Sequence, residues 1–245
     1  MYDDVARIYD IFVDWPKRLT TELPLLESLG ITGSLRIIDT ACGTGHHARA
    51  WADQGHDVSA WDLSTEMIRH AQMLDPAEIV QWNTGGFTDI PADGSGDALL
   101  CLGTSLPHVS SRDECAEVIA HWKRVLKPGG TLIIQSRNLV RHLFTGDRFL
   151  PVLSRRDGDH AMLFWRFYDL LPPDRVDFHL TIFTEKPDGS WSQEVHTSPL
   201  LAIPGVDLAA MAEHAGFHNV GLTGHLDGRP FETRTSPDVV LTATA

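Results

Sequence analysis

One stretch constrains this chain more than any other. Leu35-Arg36-Ile37-Ile38-Asp39 is an apolar run that reads as a buried strand and ends in a carboxylate. Thr40-Ala41-Cys42-Gly43-Thr44-Gly45 follows as a turn of small residues, and His46 to Gln54 then reads as a helix. Gly43 and Gly45 carry no Cβ, so they accept a left-handed backbone and leave room for a ligand against the main chain. A second apolar run, Val58-Ser59-Ala60-Trp61-Asp62, again ends in an acid. A carboxylate at that strand end can accept both hydroxyls of a ribose. Strand, small-residue loop, helix and acidic strand form the mononucleotide-binding half of a doubly wound sheet, with its ligand at the strands' carboxyl edge.

The rest of the chain fits around that unit. Residues 4–14 place Val5, Ile8, Tyr9 and Phe12 on one helical face, either packing on the sheet or acting as a lid. Pro16 opens a second helix that runs to Gly30, a C′ glycine. Strands are expected at 35–39, 57–62 and 78–82, with helices at 46–54 and 64–74, the latter N-capped by Ser64. Asn83 to Phe87 reads as a loop. Asp97 to Gly103 is apolar throughout, as a central parallel strand should be. Its exit, Thr104 to Val109, lies at the ligand edge. A helix over 112–126 leads into Lys127-Pro128-Gly129-Gly130, a turn feeding a fifth strand.

After residue 140 the pattern becomes antiparallel. Residues 163–170, 176–184 and 191–198 alternate or are β-branched, and Lys186-Pro187-Asp188-Gly189 joins the last two as a hairpin. A helix over 205–215 and strands near 217–226 and 237–244 complete the sheet. The expected fold is α/β: a doubly wound, Rossmann-like, seven-stranded sheet with an antiparallel cap of about three strands inserted after the fifth. The chain divides into N-terminal helices or lid (1–30), ligand-binding core (31–140), cap (155–200) and C-terminal helix with the last two strands (201–245), all one domain of 245 residues.

The loop has an Asp before it on the strand and lacks the third glycine of a dinucleotide fingerprint. It resembles motif I of the class I S-adenosylmethionine (SAM) methyltransferases, D-x-G-C-G-T-G. Ile38 to Gly45, Cys101-Leu102-Gly103-Thr104-Ser105-Leu106-Pro107-His108-Val109 and Ile133-Ile134-Gln135-Ser136-Arg137-Asn138 are similar to the glycine N-methyltransferases and their sarcosine-methylating relatives. That resemblance implies SAM as cofactor. Asp39, Ala41, Gly43 and Gly45 would lie at its methionine portion and Asp62, with Leu63, at its ribose. Met67 would sit near the adenine, Leu102 and Gly103 at the methionine end, and Arg18 at the carboxylate. Arg137 would clamp the acceptor's carboxylate in a bidentate pair, with Asn138 and Tyr9 also at the acceptor. Leu139 and the Asn83 to Phe87 loop depart from the family's usual residues.

The implied chemistry is an in-line displacement at a sulfonium methyl, in which alignment supplies most of the catalysis. An amine acceptor need only arrive neutral, whereas a hydroxyl needs a base. His108 is the base for a hydroxyl acceptor, or else a loop histidine ordering the backbone. Tyr2 and Tyr9 are further aromatic candidates for the sulfonium, and Phe164, Trp165, Phe167 and Tyr168 alternate between core and pocket, with core favoured. No metal is expected, since the adjacent His46 and His47 point apart on a helix, and Cys42 is not expected as a nucleophile.

Composition excludes other classes. A net charge of −13 argues against nucleic-acid binding. No run is long and apolar enough to span a bilayer, and Met1-Tyr2-Asp3-Asp4 is no signal peptide. Cys42, Cys101 and Cys115 suggest a reducing cytoplasm rather than a disulfide framework. The expected partner is a small-molecule acceptor, most simply an amino-acid-like amine such as glycine or sarcosine, with self-association left open. Competing readings are an O- or N-methyltransferase of a specialised metabolite, a nicotinamide-dependent oxidoreductase and a non-catalytic SAM-binding protein.

Overall fold

A computed structural model describes residues 2–245, without the side chains of residues 2–5 and 7, so the expectations for the Tyr2 and Val5 side chains lie outside the described residues. The first apolar run forms β1 (Arg36–Thr40), followed by α3 (His46–Asp53), β2 (Asp57–Asp62), α4 (Thr65–Met73) and β3 (Val80–Thr84). The chain then crosses back to β4 (Gly96–Cys101), α5 (Arg112–Val125) and β5 (Leu126–Arg137). α7 (Gly205–His214), β10 (His218–Thr223) and β11 (Asp238–Thr244) close the domain. The sheet order is β10-β11-β5-β4-β1-β2-β3, with β11 antiparallel to both neighbours. From β1 the chain first proceeds to β2 and β3, then returns to β4 on β1's other side. The switch in direction therefore falls between β1 and β4, where such sheets open a crevice for ligands.

Side-chain alternation fills both faces of this sheet. Leu99 and Cys101 join Leu132, Ile134 and Trp122 on one face, while Ala98 and Leu100 join Ile133, Val240 and Trp51 on the other. Helix α5 presents Cys115, Val118, Ile119, Trp122 and Val125, an i, i+3, i+4, i+7 stripe, to the first cluster. The Ser111 side chain caps that helix by accepting from the Glu114 N–H at 3.1 Å. Ser64 caps α4 in the same way, accepting from Met67 at 3.2 Å.

Several boundaries differ from the sequence expectation. Asn83 and Thr84 belong to β3 and pair with Trp61 and Asp62 rather than forming a loop. Lys127-Pro128-Gly129-Gly130 is not a turn ahead of β5 but an outward excursion within it. Leu126 pairs with Gly96, and the next partner of β4 is Thr131 opposite Ala98. Gly130 passes so close to the carbonyls of Lys127, Gly96 and Asp97, at 3.0–3.2 Å from where a Cβ would stand, that a side chain has little room there.

The cap has four strands, not about three: β6 (Leu153–Asp157), β7 (His160–Leu171), β8 (Arg175–Glu185) and β9 (Trp191–Leu201), paired antiparallel in that order. The polar Leu153-Ser154-Arg155-Arg156-Asp157 gives no alternating signal because β6 is an edge strand, satisfied by pairing with β7 alone. A short helix, α6 (Leu139–Thr145), links β5 to the cap. Of the four aromatics on β7, Phe164 and Tyr168 are buried inward, while Trp165 and Phe167 lie on the other face with Phe149. At the N-terminus, α1 (Tyr2–Phe12) bridges α4 and the cap, its Ile8, Tyr9 and Phe12 joining Met67, Phe164 and Leu180. Helix α2 (Trp15–Ser28) runs down to the buried Leu26 beside Trp51. Among the described residues, no helix is long and apolar enough to cross a membrane.

Candidate active site

The loop after β1 is built from unusual backbone. Ala41, Gly43 and Gly45 all have positive φ (55°, 57° and 76°). For Ala41 this is a conformation that a Cβ disfavours and that only the surrounding structure can hold. Gly43 donates its N–H to Asp62 Oδ2 at 2.8 Å, and Ser64 donates its N–H to Asp62 Oδ1 at 2.9 Å. Asp62 thus ties the two strand ends together.

The two loop glycines do different work. The nearest atom to a Cβ at Gly43 would be Tyr9 Cε1, at 3.8 Å, an ordinary van der Waals distance, so the Tyr9 ring covers that peptide without crowding it. At Gly45 the space is filled by protein: a Cβ would overlap the Trp82 ring and touch Ala71. The expectation of ligand room is corrected at Gly45, where packing demands the glycine, whereas at Gly43 the nearest group is the ring of Tyr9.

Asp39 is the most perturbed acid here. It is 3% exposed and its Oδ2 has no hydrogen-bond partner. Burial, reinforced by the neighbouring Asp62 and opposed by Arg18, pushes its pKa up to about 7. The Cys42 thiol, buried beside the same acids, is pushed well above its usual range, which is the wrong direction for a nucleophile.

The N-terminal helices close over this loop. Arg18 pairs with Glu22 at 2.9 Å, lies over the Trp15 ring and approaches Gly103 to 3.6 Å of a notional Cβ. Burial pushes the Tyr9 phenol up, against the pull of the adjacent Arg18 guanidinium. His47 meets Glu22 at 2.9 Å. Asp10, which no motif announces, is the hub: it accepts from Trp15 Nε1 at 2.9 Å and Thr44 Oγ1 at 2.6 Å and meets His46 and His70 at 3.0 Å each. Burial would raise its pKa, but the bonds from His46, Thr44 and His70 hold it down at about 2. One side chain of α1 thereby latches to the loop, α3 and α4. Its signal in the sequence is only a polar position on an amphipathic helix. Among the described residues no group of three or more His, Cys, Asp or Glu is disposed to hold a metal.

The β4 exit is stitched to the end of β5. Gly103 donates its N–H to Gln135 Oε1 at 2.9 Å, and Arg137 donates its N–H to Thr104 Oγ1 at 2.9 Å. Thr104 itself has a positive φ of 75°. His108 sits on the 3-10 turn that follows, and burial lowers its pKa. Arg137 emerges at the sheet edge half exposed, with Asp238 3.4 Å away. Asn138 is different from the expectation. It is 1% exposed, caps α6 by accepting from Arg141 at 3.3 Å, and donates to the Thr233 and Ser236 carbonyls. Its amide is fully engaged by protein, so it positions α6 rather than meeting an acceptor. Leu63 is 77% exposed beside Gly86, Met67 is buried between α1 and the cap, and Leu102 is buried below Gly103.

Residues 37–130 match the family model described as a methyltransferase domain. The rat glycine N-methyltransferase is 30% identical over 161 residues, covering 58% of this chain and 55% of that one. Residues 37–130 thus carry a methyltransferase domain, and the chain's fold is similar to that of S-adenosylmethionine-dependent methyltransferases over nearly its whole length. A glycine/sarcosine N-methyltransferase of Aphanothece halophytica is 26% identical over 196 residues, covering 74% of this chain and 72% of that one. Most of the glycine-methylating relatives are matched over about half their length. A SAM-bound amino pentose methyltransferase from Micromonospora echinaspora superimposes with a TM-score of 0.75 at 18% identity, covering 95% of this chain and 92% of that one, which establishes the shared fold.

The cofactor such methyltransferases use is SAM, and the loop's residues fit it. A buried carboxylate oxygen without a partner, at Asp39, suits a ligand that brings positive charge. Arg18 beside Gly103 suits a carboxylate. Gly43, without a Cβ and uncrowded by Tyr9, suits an approach to the backbone.

Proposed function

We propose that this methyltransferase acts on a small amine that carries an acid group, of the glycine or sarcosine kind. Bound SAM supplies an activated methyl on a sulfonium. Everything else asked of the chain is alignment: an oriented pair of reactants gains roughly 7–11 kcal/mol over free encounter. In this reading Asp39, Gly43, Asp62, Arg18 and Gly103 hold the donor, and Arg137 fixes the acceptor's acid so that its amine faces the donor's methyl. Tyr9, between Arg18 and Gly43, closes the wall above. The observation that carries the acceptor assignment is Arg137. Its guanidinium stands at the carboxyl edge of β5, 53% exposed, beside the β4 exit and with one long contact at 3.4 Å to an acid. Such a group has donors to offer a carboxylate. The resemblance to glycine- and sarcosine-methylating relatives supports the same choice.

A second reading rests on His108. An imidazole on the β4 exit, whose pKa burial lowers, is suited to take a proton from a hydroxyl acceptor, as an O-methyltransferase of a specialised metabolite would require. The test is S-adenosylhomocysteine production from SAM with glycine, sarcosine and a panel of hydroxylated acceptors. Arg137→Ala should raise KM for an acidic amine at least tenfold and leave SAM affinity unchanged. Equal turnover of glycine or sarcosine by wild type and variant would exclude the clamp. Turnover only of hydroxyl acceptors, abolished in His108→Ala, would select the second reading.

A further inference from the structure

The inward face of the cap contains one residue that its surroundings do not explain. Along β7 the inward positions are Met162, Phe164, Arg166, Tyr168 and Leu170, since strand side chains alternate. Met162 and Phe164 belong to the apolar cluster shared with α1 and Met67, and Tyr168 and Leu170 to the cluster under α6. Arg166 stands between the two clusters, opposite Leu180 of β8. Its guanidinium lies over the Phe12 ring of α1 at 5.2 Å. Its Nε is buried without a hydrogen-bond partner, and no acid pairs with it among the described residues. The chain has no shortage of acids, with 33 Asp and Glu against 20 Lys and Arg. A half-buried guanidinium set among apolar and aromatic side chains with its Nε unpartnered is costly to desolvate, so its place there points to a ligand that completes it.

The direction in which Arg166 faces follows from its neighbours. Tyr168 packs against Leu139, Val140 and the His142 ring of α6, the helix that begins directly after Arg137 and Asn138. The end of β5 and the middle of β7 are therefore brought to the same place. Electrostatics agree: burial lowers the Arg166 pKa, as does the nearby Arg137, and the buried Tyr168 phenol feels both guanidinium groups. On the other side, Phe12 belongs to the helix that carries Tyr9 and Asp10 over the SAM loop. Arg166 thus lies between the cofactor's lid and the acceptor end of the sheet.

We propose that Arg166 is an acceptor-binding, specificity-determining residue that joins Arg137 in a two-arginine site for the acceptor's anionic group. This deepens the acceptor reading above and rests on it. The ligand chemistry is a carboxylate or a phosphate ester on a small amine, gripped from the sheet by Arg137 and from the cap by Arg166. Arg137 has Asp238 beside it, so Arg166 supplies the uncompensated charge, and it does so from the cap. Acceptors lacking an acid would leave the Arg166 Nε covered and unmatched, which is how it would discriminate against them.

The test needs no turnover. Melting temperatures are measured for wild type, Arg166→Met and Arg166→Lys, with and without S-adenosylhomocysteine. Each is titrated with acetate and, separately, inorganic phosphate against chloride at matched ionic strength. Wild type should gain several degrees from one of these anions over chloride, and Arg166→Met should lose that gain. Arg166→Lys should keep part of it, having the charge without the fork. Acetate alone would identify a carboxylate acceptor and phosphate alone a phosphorylated one. In chloride, Arg166→Met should melt no lower than wild type, because it removes an unmatched cation and keeps the packing on Phe12. An Arg166→Met that melts much lower or does not fold would make Arg166 a structural strut and overturn the proposal. An anion response equal in all three proteins, or absent in wild type, would overturn it as well. Because the readout is anion binding, failure to form S-adenosylhomocysteine from glycine or sarcosine would count against the acceptor reading alone.

Discussion

The role proposed for Asp39, the buried acid near the end of β1, predicts that cofactor binding depends on pH. Asp39 is 3% exposed with one oxygen unpartnered, and burial next to Asp62 raises its pKa from 3.8 to about 7. A raised carboxylate pKa means that the folded state binds more protons than the unfolded chain between those two values. The ligand-free protein should accordingly lose stability as pH rises from about 4 to about 7, by roughly 4 kcal/mol at about 1.4 kcal/mol per unit. A cation placed against Asp39 reverses the preference, since it favours the ionised form. SAM brings that cation, so its binding should expel the proton. With about a tenth of Asp39 ionised at pH 6 and about nine tenths at pH 8, SAM affinity should rise roughly tenfold over that range. Calorimetry at pH 7 in buffers of different ionisation enthalpy should detect release of about half a proton. The same titration on Asp39→Asn should be flat in pH and release none. Wild-type affinity that does not vary between pH 6 and pH 8, with no proton release, would refute the assignment of Asp39 as the cofactor's counter-charge.

Two other substitutions test the architecture of the site. Gly45→Ala places a Cβ on a left-handed residue and into the Trp82 ring, so it should cost about 2–5 kcal/mol, the sum of a backbone and an overpacking penalty. Denaturant unfolding would read this, and an unchanged midpoint would show that the loop relaxes freely. Asp10→Asn should loosen α1 from the loop. Because the folded pKa of Asp10 is lowered to about 2, its contribution of about 2 kcal/mol is present above pH 4 and lost between about pH 4 and pH 2. The variant should lack that acid-side slope and show faster hydrogen exchange in residues 2–12, and identical acid unfolding curves would remove Asp10 as the latch.

The central parallel strands and the loop were legible because their chemistry is local. A buried parallel strand must be continuously apolar, as Ala98 to Leu102 is, and the turn at residues 41–45 needs small residues whatever the rest of the chain does. Asp62 was legible as a strand-end acid, although its bond to the Gly43 N–H, which braces the loop, appears only in three dimensions. The edge strand β6 was not legible because pairing with β7, rather than an apolar face, makes it a strand. Trp82 explains Gly45 through a contact between β3 and the N-cap of α3 that no spacing rule encodes. Asp10 and Arg166 escaped for the same reason. Each is one polar residue in an amphipathic element, and its meaning comes from partners on other elements: His46 and His70 for Asp10, Phe12 and the end of β5 for Arg166. Asn138 was misread in the opposite sense, since its place after Arg137 suggested an acceptor ligand and its amide is held by residues 233 and 236.

The most direct test of the account is calorimetric titration of the purified protein with SAM, S-adenosylhomocysteine and NAD, each repeated in the presence of glycine or sarcosine. The account predicts micromolar binding of SAM and S-adenosylhomocysteine, no binding of NAD, and tighter S-adenosylhomocysteine binding when the acidic amine is present. Tight NAD binding without SAM binding would contradict the reading of the loop at residues 39–45, and with it the roles given to Asp39, Gly43 and Asp62.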